Sequence, residues 1–367
     1  MTIRYPHGGR YLNSQNWYRS LTVTRDYFIA TGVLFSLSWL HRQVRICFEH
    51  GIDHQARVSL AANGFVCVRI PTNATWGVGQ HFFVRFMSLG IHMGSIHPFT
   101  ACSLPASGSS FDDVTSELVL YIRPRGGLTG RLVRLAKSQP NSTVRVLLDG
   151  PYGGIDAQKI VTSQRQLVVA GGSGAGWVIP MISTFLRMHR DEGDEDVPSV
   201  RPRSAKVILT TRDVVTQGWF EETIKELLTT FGLEKMPQGL EIELHYTGSE
   251  TDDSVAMAHA GLGRLDDVEK VVESRHRAVA DRSDSNSGSD VASTKHIKYF
   301  NTRPDLRSIV RAEAASSSLQ GQLGVFVCGP LSMQSDISNA VADEQIAVMK
   351  GGATKSVYLH MEHFSWA

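Results

Sequence analysis

The stretch Val168-Val169-Ala170-Gly171-Gly172-Ser173-Gly174-Ala175-Gly176-Trp177-Val178 constrains this chain more than any other. Leu167 to Ala170 reads as a buried strand, and Val178, Met181, Ile182, Phe185 and Leu186 fall at helical spacing. A glycine cluster lies between them. Strand, glycine turn and helix in that order aim backbone N–H groups at whatever sits on the helix N-terminus, and a phosphate suits that place. Glycine lets the backbone turn tightly and approach a ligand with no Cβ in the way. Taken alone, a plain structural turn explains the pattern equally well.

The hydrophobic period changes on either side of this turn. From Ile46 apolar residues alternate. Segments 56–60 and 65–71 read as strands around Asn63-Gly64, a hairpin signal. Segments 79–86, 118–123 and 143–148 are further strands, with a helix from Thr129 to Lys137. Short strands in such number imply a small antiparallel barrel. After Pro151-Tyr152-Gly153, strands at 166–170, 206–211, 241–246 and 323–328 alternate with helices such as Trp219 to Thr230 and Ser332 to Ala342. That alternation implies a doubly wound parallel sheet. Residues 190–204 read as a charged, proline-containing loop. Residues 249–296 read as a disordered insertion, since Asp281 to Asp290 is too polar to pack.

Composition narrows the rest. With 367 residues, two domains are the natural expectation. A formal charge of +1 gives no reason to expect nucleic acid as a partner. Cys47, Cys67, Cys102 and Cys328 form no CxxC pair, so neither a disulfide framework nor a resident metal site is expected. Met1 to Ser20 lacks the apolar core of a secretory signal. Tyr27 to Leu40 is uncharged and mostly apolar. As a helix it spans about 21 Å, short of a hydrocarbon core of about 30 Å. Arg25 and Asp26 stop it on one side; Trp39, His41, Arg42 and Arg45 close it on the other, as at a cytoplasmic membrane interface. Two readings stand: an amphipathic helix docked on the protein itself, or the tail end of a membrane helix. The second is favoured. The scheme is an N-terminal segment (1–45), an antiparallel barrel (46–155) and an α/β domain (160–367).

Three other stretches carry chemistry. His97-Pro98-Phe99-Thr100 follows a barrel strand. An aromatic ring can stack on a flat heterocycle, a threonine hydroxyl can hydrogen-bond a ring nitrogen and a histidine can face a phosphate. A proline turn over a buried Phe is the plainer account. Arg123-Pro124-Arg125-Gly126-Gly127-Leu128-Thr129 opens a helix and makes a second candidate anion site, with Thr129 a possible cap. Cys328-Gly329-Pro330 ends a buried strand, where open α/β sheets bind ligands. A lone buried Cys is more often a small hydrophobe.

In this order, with Gly150-Pro151-Tyr152-Gly153 between the barrel and the glycine turn, the motifs resemble the flavin half of fungal ferric-chelate reductases. These belong with the NADPH oxidases and share a fold with ferredoxin–NADP reductases. The resemblance covers about residues 27–367 and includes the aromatic ending Phe364-Ser365-Trp366. It implies that His97, Pro98, Phe99 and Thr100 hold FAD, with Phe99 against the isoalloxazine and Thr100 near its reactive nitrogen. It implies that Arg123, Gly127, Leu128 and Thr129 hold the FAD pyrophosphate. It places the NADPH pyrophosphate on Gly171, Gly172, Ser173, Gly174, Ala175 and Gly176, and the 2′-phosphate on Arg212. Arg fits a phosphate by its forked, permanent charge. Asn301-Thr302-Arg303-Pro304-Asp305 resembles the family's Gly-Arg-Pro segment with the glycine replaced. Cys328, with Gly329 and Pro330, lies beside the nicotinamide. Phe364 or Trp366 covers the flavin and moves for hydride transfer.

The implied activity is hydride transfer from NADPH to FAD, then single electrons to ferric chelate, through haem in full-length relatives. Those relatives carry paired haem-ligating histidines on membrane helices. Here His41 and His54 are separated by Arg42, Arg45, Glu49 and Asp53, which exclude a membrane haem helix. The chain is therefore expected to lack the haem portion, which a membrane partner could supply. The expected location is the cytoplasmic face of the plasma membrane, or the soluble cytoplasm if the chain is whole. Two alternatives stay open: a soluble reductase for another acceptor, and a regulatory fragment without turnover.

Overall fold

The structure, a computed structural model, describes residues 14–51, 54–90, 94–106, 115–190, 204–248, 297–316, 321–351 and 354–362. The expected insertion at 249–296, most of the charged loop at 190–204, and Phe364 and Trp366 lie outside the described residues. The chain divides into two units, Met1–Ile52 and Asp53–Ala367.

The first unit is one helix, α1 (Ser14–His50), of 37 residues. It corrects the expected 27–40 span: Arg25 and Asp26 do not stop the helix but pair on its surface at 3.0 Å. Residues 22–41 are all exposed, among them Tyr27, Phe28, Leu34, Phe35 and Trp39. Apolar and polar residues are spread around the axis rather than sorted to one face, so α1 is not amphipathic. Among the described residues no helix is long and apolar enough to cross a membrane.

The second unit opens with the antiparallel barrel. Its strands are β1 (His54–Leu60), β2 (Val66–Thr72), β3 (Gln80–Phe86), β4 (His97–Thr100), β5 (Ser116–Ile122) and β6 (Ser142–Gly153). They lie in the order β4-β3-β6-β1-β2-β5. Alternate side chains point inward, so Phe82, Val84 and Phe86 of β3 are buried while His81, Phe83 and Arg85 are not. The backbone after β4 closes the sheet: Cys102 N donates to the Val119 carbonyl at 2.8 Å, and Ser103 Oγ to that of Glu117 at 2.8 Å. The helix α2 (Gly127–Ser138) plugs the core with Leu128, Leu132 and Ala136. The hairpin at Asn63-Gly64 forms as expected. Asn63 Oδ1 accepts from Phe65 N at 3.1 Å, and Gly64 takes φ +77°, which suits glycine. Residues 97–100 are not a turn but β4 itself. A proline fits there because β4 is an edge strand.

The short α3 (Ala157–Thr162) leads into the parallel sheet: β7 (Ser163–Gly171), β8 (Ser204–Thr211), β9 (Leu240–Tyr246), β10 (Ile297–Phe300), β11 (Gln322–Cys328) and β12 (Ser356–Glu362). Its order is β10-β9-β8-β7-β11-β12, with every pairing parallel. The helices are α4 (Ala175–Arg190), α5 (Val214–Thr230), α6 (Leu306–Ala315) and α7 (Leu331–Met349). Residues of β7 alternate between two cores. Val168 and Ala170 pack with α4 and α5; Leu167 and Val169 pack with α6 and α7. Both faces are covered, which is why the central strands read as unbroken apolar runs. The chain winds outward from β7 to β10, then returns to β11 on the other side of β7. Ligands bind at such a reversal, outside the carboxyl ends of the strands.

Candidate functional site

Two thiols and a glycine turn meet at that reversal. After β7, Gly172–Gly174 forms a single 3-10 turn and α4 follows at Ala175. A Cβ on Gly174 would stand 2.6 Å from the Cys328 carbonyl oxygen. A Cβ on Gly176 would stand 2.9 Å from Cys102 Sγ and 3.5 Å from the Tyr121 side chain. Gly171 is similarly tight against Pro330 and Met333. The glycines were expected to clear room for a ligand; three of them instead let the turn press against β11 and the barrel. Gly172 differs. It takes φ +55°, and a Cβ there would meet nothing within 4 Å, so the turn is open on that side. No acidic residue sits in the first turn of α4. These features fit a nucleotide pyrophosphate.

The contacts run on into the barrel. Cys102 Sγ donates to the Thr100 carbonyl at 3.4 Å. Thr100, Cys102, Gly176, Gly174 and Cys328 thus form a continuous path from β4 to the end of β11. Register adds its walls. Cys328 pairs with Ala170 on one side and Glu362 on the other. Thr100 pairs with His81, which pairs with Tyr152. His81, Phe83 and Tyr152 form a half-buried aromatic cluster with centroids 5.5 to 6.1 Å apart. Tyr152 is fixed by its hydroxyl, which donates to Asp149 Oδ1 at 2.6 Å. Sequence reading missed this cluster. Its signal was alternation in β3, which sends His81 and Phe83 outward together. Phe99 lies on the opposite side, packed against the barrel core, 6.4 Å from Phe86 and stacked under His97 at 6.3 Å.

Burial pushes the Cys102 thiol up to about 12. Burial, with the Glu362 carboxylate and Cys102 beside it, also raises Cys328 well above the usual thiol range. Both are therefore neutral at physiological pH. Neither is a thiolate nucleophile.

The remaining predicted residues lie apart from this path. Arg123, Gly127, Leu128 and Thr129 mark the start of α2 after β5. Its N-cap, Gly126, provides no side-chain cap. Thr129 does not cap the helix as expected: its hydroxyl donates back to the Gly126 carbonyl at 3.0 Å and accepts from Arg125 N at 3.0 Å. No side chain caps this helix start, a second fit to a phosphate. Arg212 is exposed at the carboxyl end of β8, two strands and so about 10 Å from β11. Asp213 beside it caps α5 through Thr216 N at 2.6 Å. In the segment 301–305, the Thr302 carbonyl accepts from His245 Nδ1 at 2.8 Å, and His245 stacks on Phe300 at 4.6 Å. Asp305 caps α6. His41 lies in α1, whereas His54 opens β1 beside the Pro71 carbonyl, so the two share no helix.

An antiparallel barrel leading into a doubly wound parallel sheet whose strand order reverses beside β7 is the ferredoxin reductase-like fold. Residues 53–156 match the model of an FAD-binding domain, and residues 165–342 match that of the ferric reductase NAD binding domain. The chain thus carries an FAD-binding domain followed by a ferric reductase NAD binding domain. A "Probable cell surface ferric reductase" of Aspergillus oryzae is 26% identical over 209 residues, 54% of this chain and 27% of that protein. The ferric/cupric reductase transmembrane component 1 of Candida albicans is 24% identical over 332 residues, 86% of this chain and 37% of that protein. The chain thus spans less than half the length of either relative. A solved ferredoxin NADP+ reductase from Neisseria gonorrhoeae is similar over 79% of this chain and 90% of that one, at 11% identity and a TM-score of 0.43.

Proposed function

We propose that this chain is an NADPH-dependent flavin reductase that passes electrons toward ferric chelates. The path Thr100–Cys102–Gly176–Gly174–Cys328 carries the reading, because it brings the flavin-side strand and the nicotinamide-side corner against one turn. When bound, FAD and NADPH supply the hydride and single-electron chemistry, and the protein supplies binding and orientation.

In this reading the open start of α2 and Arg123 take the FAD pyrophosphate. Thr100 faces the flavin's reactive nitrogen, and the aromatic cluster of His81, Phe83 and Tyr152 bounds the ring on that side. Gly172 and the start of α4 take the pyrophosphate of NADPH, and Arg212 its 2′-phosphate. Neutral Cys328 makes an apolar wall at the nicotinamide and neither gives nor takes a proton. We also propose a place at the cytoplasmic face of a membrane, next to a haem-bearing portion or partner. The name of the Candida relative, a transmembrane component, and the exposed aromatic residues of α1 support it.

Purified protein should be yellow, with flavin absorbance bleached by NADPH and restored by ferricyanide or a ferric chelate. A colourless protein that takes up no added FAD overturns the proposal. Bleaching without any transfer to an iron acceptor overturns the ferric part alone.

A further inference from the structure

One buried amide holds the corner after β11. Gln334, on α7, is 3% exposed. Its Nε2 donates to the Gly329 carbonyl at 2.9 Å and to the Glu362 carbonyl at 3.0 Å. Only the amide nitrogen of a glutamine can donate, so two carbonyl partners fix which way the side chain faces. Its Oε1 is buried and has no partner among the described residues. Gly329 directly follows Cys328. Glu362 ends β12 and is the register partner of Cys328. The amide therefore ties the crevice corner to the end of the neighbouring strand.

Packing and one backbone hydrogen bond also hold that corner: Gly171 lies against Pro330, and Gln334 N donates to the Pro330 carbonyl at 3.1 Å. Gly329 has no side chain, Pro330 is exposed, and Leu331 is 73% exposed. Met333 packs beneath: a Cβ on Gly329 would lie 2.6 Å from its sulfur, and one on Gly171 3.1 Å from its terminal methyl. Packing by a flexible thioether sets no orientation for the Gly329 peptide, whereas a hydrogen bond does. The flanking wall, Cys328, contributes only an uncharged surface.

We propose that Gln334 is a positioning residue: it holds the Gly329 peptide and the end of β12 as one unit, and so sets the depth of the Cys328–Pro330 wall at the nicotinamide. This rests on the reductase reading. Gln334 touches neither reacting atom in that reading. It acts through Gly329, and small misplacements at a hydride donor are costly in rate.

Two variants of the full chain test it. Gln334→Met keeps the length and removes both hydrogen bonds. Gln334→Glu sets a carboxylate against two carbonyl oxygens. Anaerobic stopped-flow should show flavin bleaching by NADPH about tenfold slower per bound FAD in Gln334→Met, with flavin content unchanged. Relative to wild type, Gln334→Glu should be slow at pH 8 and recover in part toward pH 5.5, where the protonated acid again donates to one of the two carbonyls. Amide hydrogen exchange should rise together in 322–330 and 356–362 of both variants at pH 8. Unchanged bleaching per bound flavin, or exchange that rises in only one segment, overturns the assignment. If wild type itself is not bleached by NADPH, the reductase reading fails, and exchange alone then judges whether the two segments are tied.

Discussion

The chain starts two helices on glycine, and it builds them in opposite ways. At α2 two of the three glycines are loose: a Cβ on Gly126 or Gly130 would meet nothing within 4 Å, while Gly127 between them takes φ +53°. At α4 they are packed: Gly171, Gly174 and Gly176 are closed in by Pro330, Cys328 and Cys102. The first start sits on the rim of a barrel that is already complete. The second is the keystone between two halves. The same residue type is thus left open in one place and packed solid in the other, and a glycine-rich motif alone does not tell which.

The sharpest way to break this contrast is to add side chains to each start. Gly174→Val should prevent folding or cost several kcal/mol, since the clash is with backbone. Thermal melts and soluble yield check this. Gly126→Ala should stay within about 0.5 kcal/mol of wild type, because the position is open and its φ of −161° suits any residue. Equal losses in the two would erase the distinction.

Arg212→Ala comes next. Arg212 is exposed and packs nothing together, so stability should hold. The Michaelis constant for NADPH should rise tenfold or more, about 1.4 kcal/mol, with that for NADH nearly unmoved. A matched rise for both nucleotides removes the 2′-phosphate role.

Cys328→Ala probes the packed side more gently. Removing a buried sulfur should cost about 1 to 2 kcal/mol and slow flavin reduction, with flavin content intact. Loss of flavin would mark Cys328 as part of the scaffold for the barrel instead.

The smallest effect concerns charge. The parallel sheet carries a linked set: Arg165–Glu313 at 2.7 Å, Glu313–Lys206 at 3.6 Å and Lys206–Glu243 at 3.0 Å. The barrel has the exposed Arg69–Glu117 pair at 2.8 Å. Burial opposes ionisation of Glu243, but His245 and Lys206 outweigh it and hold its carboxyl below the usual range. Its stabilising contribution is therefore present above the ordinary glutamate pKa and is lost as pH falls through the lowered value. Lys206 works the other way. Burial is outweighed by Glu243, Glu241 and Glu313, so its contribution fades only as pH rises through a raised value. Glu243→Gln should flatten the acid limb of the stability curve by about 1 kcal/mol or less, and Arg69→Gln should leave it unchanged. Urea titrations at pH 3 to 7 check both.

Most of the architecture was legible because each half announces its period. β1, β2, β3, β5 and β6 tend to alternate, whereas β7, β8 and β11 each carry an unbroken apolar run (Leu167–Ala170, Val207–Leu209 and Val325–Cys328) and β9 alternates with Glu241 and Glu243. What escaped lies at edges. β4 is four residues long with a proline, β10 is also four long, and β12 is only partly buried, so none carries a clear pattern. The site showed the same divide. The glycine turn and Cys328 were found from local motifs. In the aromatic cluster, alternation in β3 sets His81 and Phe83 on one face, and only register brings in the distant Tyr152. Thr129 looked like a cap by type, but its hydroxyl turned to the nearer Gly126 carbonyl.

Phe65, at the exit of the β1–β2 turn, and Tyr121 on β5 both lean on Trp219 of α5, at 6.3 and 4.7 Å. Grafting a foreign barrel onto this nucleotide sheet would strand that indole unless both rings travel with it. A working chimaera therefore has to be cut so that these three aromatics, and not the linker between the halves, decide the boundary.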